Sequence, residues 1–248
     1  MTSPATIARF ALVSCLCFPP GSPATVPWDK PPEQWDLAET FRVLRDSPWS
    51  PAGTKLVAAW TQRHTDPQSG MVSSSSVNPE NTNLVRGVEV SRVKPLPAFS
   101  VLWWSSKTVR LALQRQRQLR HSAGAAAALG VEDLPDFVLV VEGSEPLRIF
   151  QDAREDLHDT AFLELEGGLT LDLKSIVFFP GTADEDARTE FHFPRQTNGE
   201  PSLDPDSERL IFHCKASAKT ARLGRENAIT VRAEFLPRTM RARGAPDL

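Results

Sequence analysis

The sequence predicts an α+β fold, with helices concentrated in the first half and a mostly antiparallel sheet in the second. Three observations carry that prediction. Two stretches before Gly130 have helical composition or spacing. From Asp136 onward, short apolar runs follow one another, punctuated by Gly, Pro, Asn and Asp. Few helix-length segments separate these runs, and strands joined without helices pair antiparallel.

In chain order, residues 1–24 read as a secretory signal peptide. Arg9 precedes an apolar run from Phe10 to Phe18, Pro19-Pro20-Gly21 breaks it, and Ser22-Pro23-Ala24 supplies small residues for cleavage. The run is far short of the roughly 18 residues a membrane helix needs, so no transmembrane segment is expected in the mature chain. A second reading makes Leu12-Val13-Ser14-Cys15 a lipid-acceptor site, which would anchor the protein at Cys15. Its drawback is the short apolar stretch between Arg9 and Cys15.

Residues 25–248 are read as a single α+β domain that opens on a Pro-rich arm. A helix is predicted to start near Glu33, behind Pro31 and Pro32. Trp35, Ala38, Phe41 and Leu44 form its apolar face, with Leu37 beside them, and Ser47-Pro48 stops it. Alternation from Thr54 to Arg63 predicts a strand with Leu56, Ala58 and Trp60 on one side. Residues 64–84, which include Ser73 to Ser76, read as a long mobile polar loop. Val88–Val93 and Phe99–Trp104 are the next strands. A helix from Ser106 through Ala128 follows, ending at Gly130. Phe137–Val141 is a buried strand and Ile149–Leu157 a short helix. The remaining strands are Ala161–Glu166, Leu169–Phe179, Thr189–Phe193, Arg209–Ser217 and Ala228–Phe235. A boundary near Gly130 is disfavoured, because the strands at Thr54 and Phe99 need a sheet to join.

Composition excludes several classes. With 13 Phe and 6 Trp the chain carries too much bulky apolar surface to stay a solvated coil. Three Cys do not make a disulfide scaffold, and cleavage after Ala24 would leave Cys214 alone. Its strand context, Leu210-Ile211-Phe212-His213-Cys214, predicts a buried thiol rather than a reactive one. A net charge of −3 speaks against nucleic acid as a partner.

Glu33-Gln34-Trp35 to Ser47-Pro48-Trp49, the step Trp104-Ser105-Ser106 into an Arg-bearing helix, and Phe191-His192-Phe193-Pro194-Arg195 together form a pattern. It resembles a family of uncharacterised exported bacterial proteins with Ser-Pro-Trp and Phe-x-Phe-Pro-Arg motifs. The resemblance covers most of residues 33–240. It implies export and one domain, and brings no activity or site with it.

Four constellations could carry chemistry. His192 and His213 fall on what read as neighbouring strands, and Glu190 shares a face with His192 by alternation. Two His and a carboxylate could hold Zn²⁺ with an open position, which would make a metal-dependent hydrolase. No HExxH or CxxC spacing supports this, and solvent-facing or hydrogen-bonded histidines are the plainer reading. Asp204-Pro205-Asp206-Ser207-Glu208 imitates the start of a Ca²⁺ loop, but Arg209 replaces the required Gly and Lys215 the closing Glu. An acidic turn is expected there, and a solvated one at Asp184-Glu185-Asp186. Arg110, Arg115, Arg117, Arg120 and His121 load one helix with charge, but spread it around the axis; a solvated face is expected. Ser91-Arg92-Val93-Lys94 fits SxxK without the partner motifs.

No catalytic, cofactor or metal residue is therefore assigned, and no cofactor is expected. The chain reads as a secreted or periplasmic, non-catalytic binding or envelope-associated module. Its partner would be an unknown protein or cell-envelope ligand. The metal-dependent hydrolase using His192, His213 and Glu190 is the alternative. Export has a direct check: N-terminal sequencing from the producing cell should find a chain starting at Thr25. An intact Met1 in a cytoplasmic fraction would contradict it, and lipid on Cys15 would replace it with the anchored form.

Overall fold

A computed structural model describes residues 26–51, 55–65, 72–77, 100–121, 129–182, 186–220 and 225–248. Residues 1–24, expected as a signal peptide, the strand expected at 88–93 and residues 122–128, expected to continue the second helix, lie outside them. Four α-helices are described: α1 (Leu37–Arg45), α2 (Lys107–His121), α3 (Ser144–Asp152) and α4 (Arg154–Thr160). The strands are β1 (Lys55–Thr65), β2 (Val72–Val77), β3 (Ser100–Trp103), β4 (Asp136–Glu142), β5 (Phe162–Glu164), β6 (Thr170–Asp172), β7 (Ser175–Phe179) and β8 (Arg188–Pro194). After them come β9 (Gln196–Thr197), β10 (Glu200–Pro201), β11 (Leu210–Thr220), β12 (Arg225–Phe235), β13 (Arg241–Ala242) and β14 (Ala245–Pro246). The class is α+β, with helices mostly in the first half and antiparallel sheets mostly in the second.

Two sheets organise the chain. One has six strands in the order β2-β1-β12-β11-β5-β6, the other four in the order β3-β4-β8-β7. Alternation gives each sheet a buried inner face. On β11 and β12 that face carries Leu210, Phe212, Cys214, Ile229, Val231 and Phe235. On the smaller sheet it carries Val101, Trp103, Phe137, Leu139, Phe191 and Phe193. The faces meet through rings: Phe191 and Phe193 lie 5.1 and 6.3 Å from Phe212, and Trp103 lies 5.3 Å from Phe235. Such edge-to-face pairs add about 0.5–1.5 kcal/mol each beyond burial. Helix α3 packs against strands of both sheets and brings Phe150 to 5.6 Å from Phe191.

Several boundaries differ from the sequence expectation, each for a physical reason. The first helix starts at Leu37, because Asp36 and Glu39 form a capping box. Asp36 Oδ1 accepts the Glu39 N–H at 2.8 Å, and the Asp36 N–H donates to Glu39 Oε2 at 3.2 Å. Helix α1 packs on α2 and buries Thr40, Val43 and Leu44. Leu37 and Phe41, expected inside, are exposed, and the Arg120 guanidinium covers the Phe41 ring. Trp35 is buried ahead of the helix, its indole N–H donating to Pro27 O at 2.6 Å.

The polar stretch 64–84, expected as loop, contains β2, which pairs with β1 through Ser73 to Ser76. Serines weaken a strand, but β2 lies at a sheet edge among the described residues, where polar residues are tolerated. The rest of that stretch, 66–71 and 78–84, lies outside the described residues. The helix expected at Ile149–Leu157 is two helices that break at Ala153. Leu169–Phe179, expected as one strand, is two strands in different sheets. At the break the Lys174 N–H donates to His192 O at 2.8 Å while Ser175 is registered with His192. Two residues thus face one, as in a bulge that lets a chain turn from one sheet to the next. The β5–β6 turn runs through Gly167 and Gly168, both at φ above +80°, where a side chain would be strained.

The three motif segments converge on Asp247 and Leu248. The Trp49 indole N–H donates to Asp247 O at 2.7 Å. The Asp247 carboxylate accepts the Ser106 hydroxyl at 2.7 Å and the backbone N–H groups of Lys107 and Thr108 at 2.8 and 2.9 Å. Ser106 Oγ in turn lies 3.3 Å from the Val109 N–H, so the first turn of α2 has its free donors satisfied. Arg195 donates to Leu134 O and Leu248 O at 3.0 and 2.9 Å, and its guanidinium stands over the Phe137 ring.

Candidate functional site

Strand alternation on β8 puts Arg188, Glu190 and His192 on the outer face of the four-stranded sheet, opposite the Phe191 and Phe193 face. Register adds Asp136 from β4 and Ser175, Val177 and Phe179 from β7 to the same face. The bulge at Lys174 delivers one more charge, its ammonium 2.7 and 3.0 Å from the two Asp136 oxygens. Toward β3 this face is occupied: Glu142 takes Arg45 of α1 at 2.9 Å and also holds the Ser100 hydroxyl.

The result is a continuous charge row, Lys174–Asp136–His192–Glu190–Arg188. His192 Nδ1 lies 3.7 Å from Asp136 Oδ2, and its Nε2 lies 3.4 Å from Glu190 Oε2. Both are ion-pair separations too long for strong hydrogen bonds, and Nε2 is buried with no hydrogen bond. Glu190 Oε1 accepts the Arg188 Nε–H at 2.9 Å. Arg188 is held between Phe179 and Trp104, 4.2 and 5.1 Å from the ring centres. Burial alone would raise the pKa of Glu190. The contacts from His192 and Arg188 outweigh burial and hold the carboxyl below its ordinary range.

His213 does not join this group. It lies on β11 of the six-stranded sheet, paired with Phe162 and Arg232. The strands that read as neighbours in sequence belong to different sheets, so the arrangement that the alternative reading needed, with His192, His213 and Glu190 on one face, is not formed. His213 Nε2 sits 2.8 Å from Glu164 Oε2, and its ring stacks on Phe162 at 4.8 Å. Among the described residues no group of three or more His, Cys, Asp or Glu is arranged to hold a metal ion. Asp136, Lys174 and Arg188 escaped the sequence reading, and Trp104, named there as the step into the Arg-bearing helix, packs instead against Arg188 of β8. Arg188 was within its reach, two residues before Glu190 on one strand. The others needed the register.

The remaining candidates are structural ties. Asp206 and Glu208 of the acidic turn pair with Arg241 and Arg238, and Asp204 Oδ1 accepts the Asp206 N–H at 2.9 Å. Of the arginines of α2, expected as a solvated face, Arg120 is exposed, while half-buried Arg110 donates to Glu132 O and Ser105 O and half-buried Arg115 to Trp35 O. Cys214 is buried, as its strand context predicts, and burial pushes its thiol pKa well up. Residues 183–185 and 91–94 lie outside the described residues, and with them most of the Asp184–Asp186 run and the SxxK match.

A groove of about 200 Å³ opens elsewhere, beside the β5–β6 hairpin. Leu165, Leu169, Leu203, Leu210 and Pro237 line it, with Glu166 and Arg209 among its polar groups. Leu169 is 69% exposed, and Leu236, next to Pro237, is exposed too. Comparison with known protein families, curated proteins and solved structures gave no match.

The charge row predicts a pH effect whose sign follows from Glu190. Its folded pKa lies below its unfolded value, so its contribution is complete above about pH 4.5 and is lost as pH falls through the folded value. Glu190→Gln should destabilise the protein by roughly 1–3 kcal/mol at pH 7. That deficit should shrink toward pH 3. Urea unfolding at a series of pH values reads it out; parallel stability–pH curves for the two proteins would contradict it.

Proposed function

We propose that the protein is an exported, non-catalytic binding module that associates with the cell envelope through the leucine-lined groove. The single observation carrying this reading is Leu169, exposed beside an apolar groove instead of packed into the core. A groove of that volume suits one apolar side chain of an envelope protein, with Glu166 and Arg209 left to meet polar groups around it.

The state of the reactive side chains supports the non-catalytic part. Glu190 is neutralised by Arg188, Asp136 by Lys174, and His213 is engaged with Glu164. Cys214 is sealed in the core. A base or nucleophile must be reachable, and the Glu190 and Asp136 carboxylates and the Cys214 thiol are buried. The N-terminal Arg9 and Phe10–Phe18 pattern, and the likeness to exported bacterial proteins, support the location.

Co-sedimentation of the purified protein with washed envelopes of the producing cell tests the reading. The wild type should pellet, and Leu169→Asp should lose about 10-fold in apparent affinity, from lost apolar burial and an added charge. Failure of the wild type to pellet would overturn envelope association. Equal pelleting of both would overturn the groove as the contact.

A further inference from the structure

The charges around the leucine-lined groove do not balance. Arg209 lines it, and Arg238 and Arg241 follow the lining residue Pro237. Each of these arginines is matched by one carboxylate: Arg209 by Glu234 at 3.5 Å, Arg238 by Glu208 at 2.6 Å, and Arg241 by Asp206. Glu166 and Asp204 also line the groove, and both are exposed. Their partners are backbone amides: Glu166 Oε2 accepts the Glu208 N–H at 3.1 Å, and Asp204 Oδ1 accepts the Asp206 N–H at 2.9 Å. Among the described residues no cation lies within ion-pair distance of either. An apolar groove thus carries two uncompensated negative charges.

Its walls are tied to one another. The Glu166–Glu208 bond joins the β5–β6 hairpin to the turn before β11, and the Arg238 N–H donates to Ser207 O at 3.2 Å from the far side of β12. Within the hairpin the Leu165 N–H donates to Leu169 O at 2.7 Å. A groove held this way loses little freedom when it is filled. Its volume of about 200 Å³ lies below the roughly 300 Å³ at which small-molecule pockets begin, so it takes one side chain.

We infer, on the reading that this groove is the contact with an envelope protein, that the segment it receives is basic: an apolar side chain flanked by Lys or Arg. The apolar side chain fills the space beside Leu169, and the flanking cations meet Glu166 and Asp204. An acidic segment brings like charges to both carboxylates and is repelled.

Titration of the isotope-labelled mature chain with the acetylated, amidated tripeptides Lys-Leu-Lys, Gln-Leu-Gln, Glu-Leu-Glu and Lys-Ala-Lys tests this, read from the Leu169 amide by NMR. Lys-Leu-Lys should bind with a Kd on the order of 1 mM, at least about 3-fold tighter than Gln-Leu-Gln and about 10-fold tighter than Glu-Leu-Glu. Lys-Ala-Lys should be about 10-fold weaker than Lys-Leu-Lys, from lost apolar burial. Glu166→Gln combined with Asp204→Asn keeps both amide acceptors and should bring Lys-Leu-Lys down to Gln-Leu-Gln. Equal binding of the three leucine peptides would overturn the basic partner while leaving the groove as the contact. No binding of any peptide up to about 10 mM would overturn both. Lys-Ala-Lys binding as well as Lys-Leu-Lys, or a double variant that keeps the preference, would also overturn the inference. Should the double variant misfold, salt decides on the wild type: going from about 50 to about 500 mM should weaken Lys-Leu-Lys at least about 3-fold and Gln-Leu-Gln hardly at all. An equal salt response of the two peptides would overturn the inference.

Discussion

The carboxylate of Asp247 is the contact on which most of the arrangement depends. A helix presents unsatisfied N–H groups at its start, and these need an acceptor when they are turned toward the protein. Helix α2 takes that acceptor from a residue almost 140 positions away in sequence. Because Asp247 also receives Trp49 through its own carbonyl, and Leu248 receives Arg195, one short segment ties the end of α1, the start of α2 and the end of β8. Met240 O accepts the Asp247 N–H and links that segment to the turn after β12. Three of the most recognisable stretches of the sequence are therefore parts of one knot.

With that corner tied, the two sheets can close over the Phe191–Phe193–Phe212 contact. The switch of the chain at Lys174 follows from the same closure. The run from Thr170 to Phe179 leaves the large sheet and enters the small one, and the bulge that allows this carries Lys174 to Asp136. Packing thus assembles the charge row as a by-product of where a strand must bend. A row built this way is charge-compensated, with each outer carboxylate held by a cation, and this is why it is read as structural.

How much of this was legible in the sequence depends on the range of the interaction. Phe137–Val141, Thr189–Phe193, Arg209–Ser217 and Ala228–Phe235 announce their strands, because alternation and apolar runs are local signals. The shared face of Glu190 and His192 follows from alternation alone. Asp36 and Glu39, three apart, also carried a local cap signal that would have moved the helix start to Leu37. Ser73–Ser76 hid a strand, because an edge tolerates polarity that otherwise marks a loop. His213 looked like a neighbour of His192 because chain order stood in for sheet order, and only the register separates them. Asp247 gives no local sign of its role, since every group it serves is far away in sequence.

The most direct measurement is therefore on Asp247. Asp247→Ala removes the acceptor for Lys107 and Thr108 and leaves the Ser106 hydroxyl without it, a loss of about 2 kcal/mol by comparison with ordinary cap deletions. Urea unfolding should show that loss, and hydrogen exchange should show the first-turn amides of α2 opening well before the β11–β12 ladder. A variant within about 0.5 kcal/mol of the wild type, with those amides equally protected, would contradict the claim that this carboxylate organises the fold.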